Sequence, residues 1–514
     1  MSKTLRLVAR LRRMFVRRAA FSLKSTLRVE QGARRDPFVA MSSPLAPTGS
    51  DARGGAETGR PARQPLLGAA VAIRSAEKGI YLGLGQGGWA WAGPERSTLV
   101  LGPSRSGKTS AIVIPNVLAA PGAVVSTSTK PDVLRSTGHA RTDSGWTLLF
   151  DPSGSIEPTD GVVRIGWSPL NAARDWDGAL SMADAMVHAN RRSNRGARAS
   201  NDDHWTERAT SLLAPILHGA ALERLSMREV LSWVDRHDGA PALRVLSERG
   251  ADQVATDVLA GLLATDDREQ SGIWSTASGV LAAYRSSSAL ASTEPPYLDP
   301  VGFCEGANTL YVCATGRQQQ LLAPLIVGLL TEIRDAAYER ARQGSPVPPV
   351  LFALDEVANI APLPDLPSIV SEGAGQGLLT LACLQDLSQA RSRWGSEAEG
   401  FLSLFGTTVV LPGIADMATL DALSTLSGDV ELPSHTLGVA QGTNGRLLGS
   451  VSTSTVLRRR LPADVIARGN PGAALALDGR RRMGWVGLTP AYRDPPWREL
   501  VGLDRQTPDL FGRG

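Results

Sequence analysis

Lysine is nearly missing from this chain. Among 54 lysine and arginine residues only Lys3, Lys24, Lys78, Lys108 and Lys130 are lysines. Cysteine is equally scarce: Cys304, Cys313 and Cys383 are too few and too scattered for a disulfide framework, which points to a reducing compartment. The six histidines show no metal-ligand spacing with those cysteines, which argues against a structural zinc site. Long apolar runs are lacking too. Stretches such as Leu321–Leu330 and Leu378–Leu384 fall short of the ~20 residues that a membrane-spanning helix requires. No internal repeat is visible.

What remains is ordinary globular composition, 42% hydrophobic and 20% charged over 514 residues. That length predicts several domains or one large fold carrying an insertion. The net charge of +4 hides an asymmetry: residues 1–35 carry eleven basic side chains and one acid, Glu30, so the rest of the chain is mildly acidic. The arginine-rich start, with Leu5, Leu7, Leu11, Phe15 and Phe21 interspersed, fits a basic amphipathic helix on an anionic membrane surface. It fits equally a disordered tail, or translated sequence ahead of a start at Met41. It lacks the continuous apolar core of a secretory signal.

Residues 36–65, rich in Pro, Gly, Ser, Ala and Arg, read as a linker, which makes residues 1–65 a basic tail and linker. From residue 66 short apolar strands alternate with helices. The candidate strands are Thr98–Leu101, Ala123–Thr127, Trp146–Phe150, Thr309–Cys313, Val350–Leu354, Leu378–Cys383 and Thr407–Leu411. Strand followed at once by helix predicts an α/β core with a largely parallel, helix-covered sheet. Between Asn171 and Pro300 only helices are expected: Asp177–Asn190, His204–Glu223, Met227–Asp235, Asp252–Ala264 and Ser271–Ala289. This predicts an all-α domain at 171–300 inserted into a core formed by 66–170 and 301–500, with a tail at 501–514. The loop Arg191–Asp203, with four arginines, is a candidate flexible segment facing DNA or a partner. After Leu411 come a helix (Asp416–Ser427), a hairpin around Thr443-Asn-Gly445, and strands Ala473–Leu477 and Met483–Leu488 at the far edge of the core.

The lysine at 108 sits where arginine would serve badly. Gly102-Pro-Ser-Arg-Ser-Gly107-Lys108-Thr109 is G-x4-G-K-[ST], preceded by a strand and followed by a helix. Spaced glycines let successive N–H groups face phosphate oxygens, and the helix adds the positive end of its dipole. A crowded turn needs a compact point charge that reaches the β- and γ-phosphates, which is lysine rather than a planar fork. Gly102, Ser104, Arg105, Ser106, Gly107, Lys108, Thr109 and Ser110 are therefore the expected nucleotide-binding set. Lys108 acts on the phosphates, and Thr109 offers its hydroxyl to Mg²⁺.

Asp151-Pro-Ser-Gly154 and Thr129-Lys130-Pro-Asp132 look like GTPase signatures, but they stand in the wrong order, so ATP is the expected nucleotide. The partner of the phosphate loop should be an apolar strand ending in acids, and Val350-Leu-Phe-Ala-Leu354-Asp355-Glu356 fits. Asp355 is the expected metal-associated carboxylate. Glu356 is the expected base that orients and deprotonates the attacking water.

The run LDEVANIAPLPDLPSIVSEGAGQGLLTLACLQDLSQARSRWG, from Leu354, resembles the coupling ATPases of type IV secretion and conjugation, the TraG/TraD class within the FtsK/HerA-like motors. VIPNVLAAPGAVVSTSTKPDVL and LPADVIARGNPGAALALDGRRRMGWVGLTPAYRDPPW extend the likeness over residues 79–498. The resemblance implies a RecA-like P-loop NTPase core with an inserted, substrate-facing all-α domain, assembled as a homohexamer. It also implies that Gln385 of LQDLSQ senses the γ-phosphate. Such proteins use ATP to deliver DNA, single-stranded and bound to a relaxase, or effector proteins to type IV secretion channel components. The location implied is cytoplasmic, at the inner face of the plasma membrane.

Two departures stand out. Relatives usually begin with transmembrane helices, and this sequence has none, so docking would be peripheral or through a partner. Between Glu356 and Gln385 there is no Lys or Arg, where relatives often place the residue that completes a neighbouring subunit's site; Arg317, Arg391 and Arg393 are the candidate substitutes. Two rivals follow: an ATP-liganded adaptor that recruits without pumping, and a FtsK/HerA-type duplex DNA translocase. Against the latter, no winged-helix-like DNA-reading module follows the core.

Overall fold

The computed structural model describes residues 79–190, 199–314, 319–345, 347–441, 447–479 and 483–501. The basic tail and linker, the arginines between 191 and 198, Arg317, the tip at Thr443-Asn-Gly445 and the C-terminal tail beyond 501 lie outside the described residues.

Among the described residues fourteen strands run in chain order: β1 (Tyr81–Gly85), β2 (Gly88–Trp91), β3 (Thr98–Leu101), β4 (Val124–Ser128), β5 (Thr147–Phe150), β6 (Val163–Arg164), β7 (Thr309–Cys313), β8 (Val350–Leu354), β9 (Leu378–Leu384), β10 (Thr407–Val410), β11 (Asp429–Gln441), β12 (Leu447–Arg459), β13 (Ala473–Asp478) and β14 (Gly484–Gly487). Twelve of them form one sheet in the order β2-β1-β14-β13-β10-β3-β9-β8-β4-β7-β5-β6. From β10 to β6 neighbouring strands are parallel, and β13, β14, β1 and β2 add an antiparallel flank. The expected α/β class with a largely parallel sheet is what the chain adopts. Every candidate strand is present, with ends within one residue of those expected.

The central strands are apolar on both faces because helices cover both faces. In β3, Leu99 and Leu101 enter one buried cluster while Val100 enters the other, the period-2 alternation of a pleated strand. The first cluster continues through Trp167, Met182, Leu213 and Trp274 into the helices between β6 and β7. Those helices are Trp176–Ala189, Ala199–Leu222, Met227–Asp235, Ala240–Glu248, Gln253–Leu263 and Asp267–Val280, with shorter turns at Leu281–Arg285, Ser287–Ala291 and Pro300–Glu305. Helix Gln319–Arg342 packs against Trp176–Ala189 and carries the chain back to the sheet.

Four features depart from the sequence reading. The single helix expected over Ser271–Ala289 is broken: it ends at Val280, tightens over Leu281–Arg285, and Ser286 is extended before the next turn starts. An ion pair from Arg285 to Asp235 and a bond from Arg285 to the Ser278 hydroxyl hold that corner. The helix Ala240–Glu248 was not expected. At the far edge β1 and β2 lie outside β14, so β13–β14 is not the end of the sheet. Gly83 permits this pairing, for a Cβ there would lie 2.6 Å from the Gly487 carbonyl oxygen. The hairpin after helix Met417–Leu426 is a separate ribbon of two 13-residue strands, rooted by the Arg459–Asp429 ion pair.

Candidate functional site

The order β3-β9-β8 in a parallel array brings the carboxyl ends of three strands side by side. Leu101 is in register with Leu384, and Leu354 with Ala382. The segments that leave these ends are Gly102–Thr109, Gln385 and Asp355–Glu356. Such a strand-end crevice is where α/β sheets place their ligands.

The first segment turns back on itself without room for larger residues. A Cβ on Gly102 would lie 2.8 Å from Ser106 Oγ and 2.9 Å from Leu411 Cβ. Arg105 at φ 64 and Gly107 at φ 96 reverse the chain, and the Ser106 N–H donates to the Pro103 carbonyl. The helical path starts with the Ala111 N–H donating to the Gly107 carbonyl at 2.9 Å. Its first turn, Thr109–Val113, is a wide π-type turn that continues into the α-helix Ile114–Ala119. Asn116 fastens that helix to β1, accepting from the Tyr81 N–H at 2.7 Å and donating to the Tyr81 carbonyl at 2.9 Å.

Lys108 is buried inside the loop. Its Nζ donates to the carbonyls of Gly102 (2.5 Å) and Pro103 (2.9 Å). Ser106 Oγ is buried with no hydrogen-bond partner, whereas Ser104 and Arg105 are exposed at the rim. Ser110 is half-buried and its hydroxyl faces the Gly107 carbonyl at 3.4 Å. A cradle closed to any Cβ at Gly102, an orphaned hydroxyl and a buried ammonium together suit an anionic oxygen ligand.

Asp355 follows the fully buried β8 and is itself 6% exposed. Burial pushes its carboxyl pKa up, and a hydrogen bond from Thr109 Oγ1 to Oδ2, 2.6 Å long, pulls it back down. The neighbouring Glu356 charge raises it further and Lys108 lowers it. Among the described residues no cluster of three or more His, Cys, Asp and Glu side chains could cage a metal ion. One hydroxyl and one carboxylate instead fit a hard cation that takes its remaining ligands from phosphate and water.

Glu356 has φ 53 and ψ 46, a left-handed conformation that non-glycine residues seldom adopt. The turn carries its side chain out of the strand line, so it is more exposed than Asp355. The Asn359 N–H donates to the Glu356 carbonyl at 2.9 Å and starts helix Val357–Ile360. Gln385 is exposed at the end of β9, and its N–H donates to Gln389 Oε1 at 2.9 Å. The expected phosphate-loop, carboxylate and Gln385 residues thus gather at the carboxyl ends of β3, β8 and β9.

Two of the candidate arginines are engaged within the chain. Arg391 pairs with Asp416 at 2.9 Å, and Arg393 donates to the Ala189 carbonyl at 2.5 Å. Asp151 is likewise consumed by its own loop, accepting from the N–H groups of Ser153, Gly154 and Ile156. It stands five strands from β3, about 24 Å at the usual strand spacing. Gln389 was missed by sequence reasoning, although Asp386-Leu-Ser-Gln389 has the spacing of a capping box.

A sequence model of the family described as type IV secretory system conjugative DNA transfer matches residues 64–455. No curated protein matches the chain significantly. Among solved structures, the bacterial conjugative coupling protein TrwBdeltaN70 in an unbound form is 20% identical, covering 82% of this chain and 90% of its own, with a TM-score of 0.61. The plasmid coupling protein TrwB with the GTP analogue GDPNP is 19% identical (83% and 94% covered, TM-score 0.61). TrwB in complex with ADP and Mg²⁺ is 20% identical (83% and 94% covered, TM-score 0.59). At that identity the likeness establishes the RecA-like P-loop fold. With three quarters of its length matched by the family model, the chain belongs to the type IV secretory system conjugative DNA transfer family.

Proposed function

We propose that this chain is an ATP-hydrolysing coupling protein that brings DNA–protein complexes, or effector proteins, to a type IV secretion channel. The observation that carries the reading is the bond between Thr109 and Asp355 at the mouth of the phosphate loop. It joins the two groups that would hold Mg²⁺, with Lys108, Glu356 and Gln385 around them. TrwB has been solved with ADP and Mg²⁺, with a GTP analogue and with an ATP analogue, so the choice of ATP rests here on the wrong order of Thr129-Lys130-Pro-Asp132 and Asp151-Pro-Ser-Gly154 as GTPase signatures.

The chain's own groups divide the work. Backbone N–H groups of Gly102–Thr109 would bind the phosphates, and Lys108 would exchange the Gly102 and Pro103 carbonyls for phosphate oxygens. Thr109 and Asp355 would hold Mg²⁺, which supplies charge neutralisation on the phosphates. Glu356, held clear of the strand by its left-handed backbone, would orient the attacking water and take its proton. Gln385 would bond to the γ-phosphate. The helices of residues 171–300 form the substrate-facing domain, and six copies form a ring. Among the described residues no helix is long and apolar enough to cross a membrane.

Steady-state ATP and GTP hydrolysis, with and without single- or double-stranded DNA, tests this. DNA-stimulated turnover that prefers ATP supports the motor. A second reading, an ATP-liganded adaptor, is favoured by one observation: Arg391 and Arg393 are committed within the chain. Tight ATP binding without turnover under all conditions would support it instead.

A further inference from the structure

The β9 ladder stops one residue before Gln385. Leu384 is the last residue paired with β3, and its carbonyl accepts from the Gly102 N–H of the phosphate loop at 3.2 Å. The next N–H, that of Gln385, bonds to a side chain instead, Gln389 Oε1 at 2.9 Å. Gln389 stands in the first turn of helix Leu387–Trp394 and is half-buried.

Neighbouring bonds fix where that helix begins. The Asp386 carboxylate accepts from the Ser388 N–H (2.9 Å) and the Gln389 N–H (3.1 Å). The Leu387 N–H donates to Thr419 Oγ1 at 3.0 Å, and Asp416 accepts from both Thr419 and Arg391. The helix is thereby anchored to the core, and one amide passes that anchorage back to the Gln385 peptide.

Resting on the reading that Gln385 meets the γ-phosphate, we propose that Gln389 is a positioning residue for Gln385. It supplies the hydrogen-bond acceptor that the sheet no longer provides, and so sets the direction in which the Gln385 side chain leaves the backbone. Because Leu384 holds Gly102, a slack peptide at 385 also loosens the register between sensor and phosphate loop. Gln389 need not touch nucleotide; it acts through Gln385.

The test is a kinetic cycle on the full chain, with ATP turnover and equilibrium binding of a fluorescent ATP analogue measured for each variant. Gln389→Leu keeps length and helix propensity but removes the acceptor. Misplacing a reacting group by about 1 Å can cost ~10²-fold, so kcat should fall ~10- to 10²-fold with nucleotide affinity unchanged. Gln389→Glu keeps an acceptor oxygen and should recover most of the turnover. The double variant Gln385→Ala/Gln389→Leu should be no slower than Gln385→Ala alone, because both changes disable one device. Wild-type kcat in Gln389→Leu, or losses that multiply in the double variant, would overturn the inference while leaving the ATPase reading intact. Wild-type turnover indifferent to Gln385→Ala, or no turnover at all, would overturn the underlying reading and this inference with it.

Discussion

Thr109 Oγ1 lies 2.6 Å from Asp355 Oδ2, although 246 residues separate the two in sequence. The bond closes the phosphate loop against the end of β8, and it partly offsets the cost of burying the Asp355 carboxyl. Thr109→Val leaves that buried carboxyl without its side-chain donor, at a cost of ~1–3 kcal/mol to the nucleotide-free protein. Thr109→Ser should lose much less. Urea unfolding without nucleotide checks the stability. Nucleotide binding with Mg²⁺ and then with a chelator checks the chemistry: the Val variant should be impaired mainly when Mg²⁺ is present.

Arg141 is a fully buried arginine. Arg141 donates to the carbonyls of Ala120 (2.8 Å), Gly122 (3.0 Å) and Ala307 (3.0 Å) and to Thr309 Oγ1 (2.7 Å). It thus ties the end of the phosphate-loop helix to the start of β7. Arg141→Ala strands several acceptors, each costing ~1–3 kcal/mol when buried and unsatisfied, so a loss of several kcal/mol is expected. Arg141→Lys should recover only part, because an ammonium cannot span the same fork. Chemical denaturation of the three proteins measures both effects.

The pH dependence of stability should carry a mark from Glu332. Burial raises its carboxyl pKa from 4.5 to about 7, the bond from the Trp167 indole opposes the rise, Asp335 adds to it and Arg174 reduces it. Below pH 4.5 both folded and unfolded chains hold the proton. Between 4.5 and 7 only the folded chain does, so stability falls as pH rises through that window and levels off above it. Glu332→Gln removes the titration and keeps an acceptor for Trp167. The variant should gain on wild type by on the order of 2 kcal/mol at pH 8, allowing for partial solvent access, with a small difference at pH 4. Thermal unfolding at the two pH values reads this directly.

The parts of the protein legible in the sequence were those fixed by local chemistry. Gly102, Gly107 and the isolated Lys108 announce a phosphate loop because few other residues survive that turn. The central strands announce themselves because both faces are buried and their sequences are continuously apolar. What depends on distant partners was not legible. The pairing of β1 with β14 needs Gly83 beside Gly487, and Arg393 meets the Ala189 carbonyl only after the helices pack. The left-handed turn at Glu356 leaves no trace in residue type. The missed helix Ala240–Glu248 is different: Gly239 before Ala240-Pro241 is a helix-start signal, with proline in the first turn. It was there to be read.

In the proposed function the carboxyl ends of β3, β8 and β9 both bind ATP and hydrolyse it, with those two tasks on different residues. Lys108→Ala removes the charge meant for the phosphates, so it should weaken ATP binding itself. Glu356→Gln keeps size and much hydrogen bonding but removes basicity, while Thr109, Asp355 and the phosphate loop remain. The most direct measurement is equilibrium binding of a fluorescent ATP analogue beside phosphate release, on wild type and Glu356→Gln. Near-normal binding by the Glu356→Gln variant is expected, with hydrolysis lower by ~10²–10⁴, the usual worth of a positioned base. Normal turnover in that variant would take Glu356 out of the chemistry and leave the separation of binding from hydrolysis unsupported.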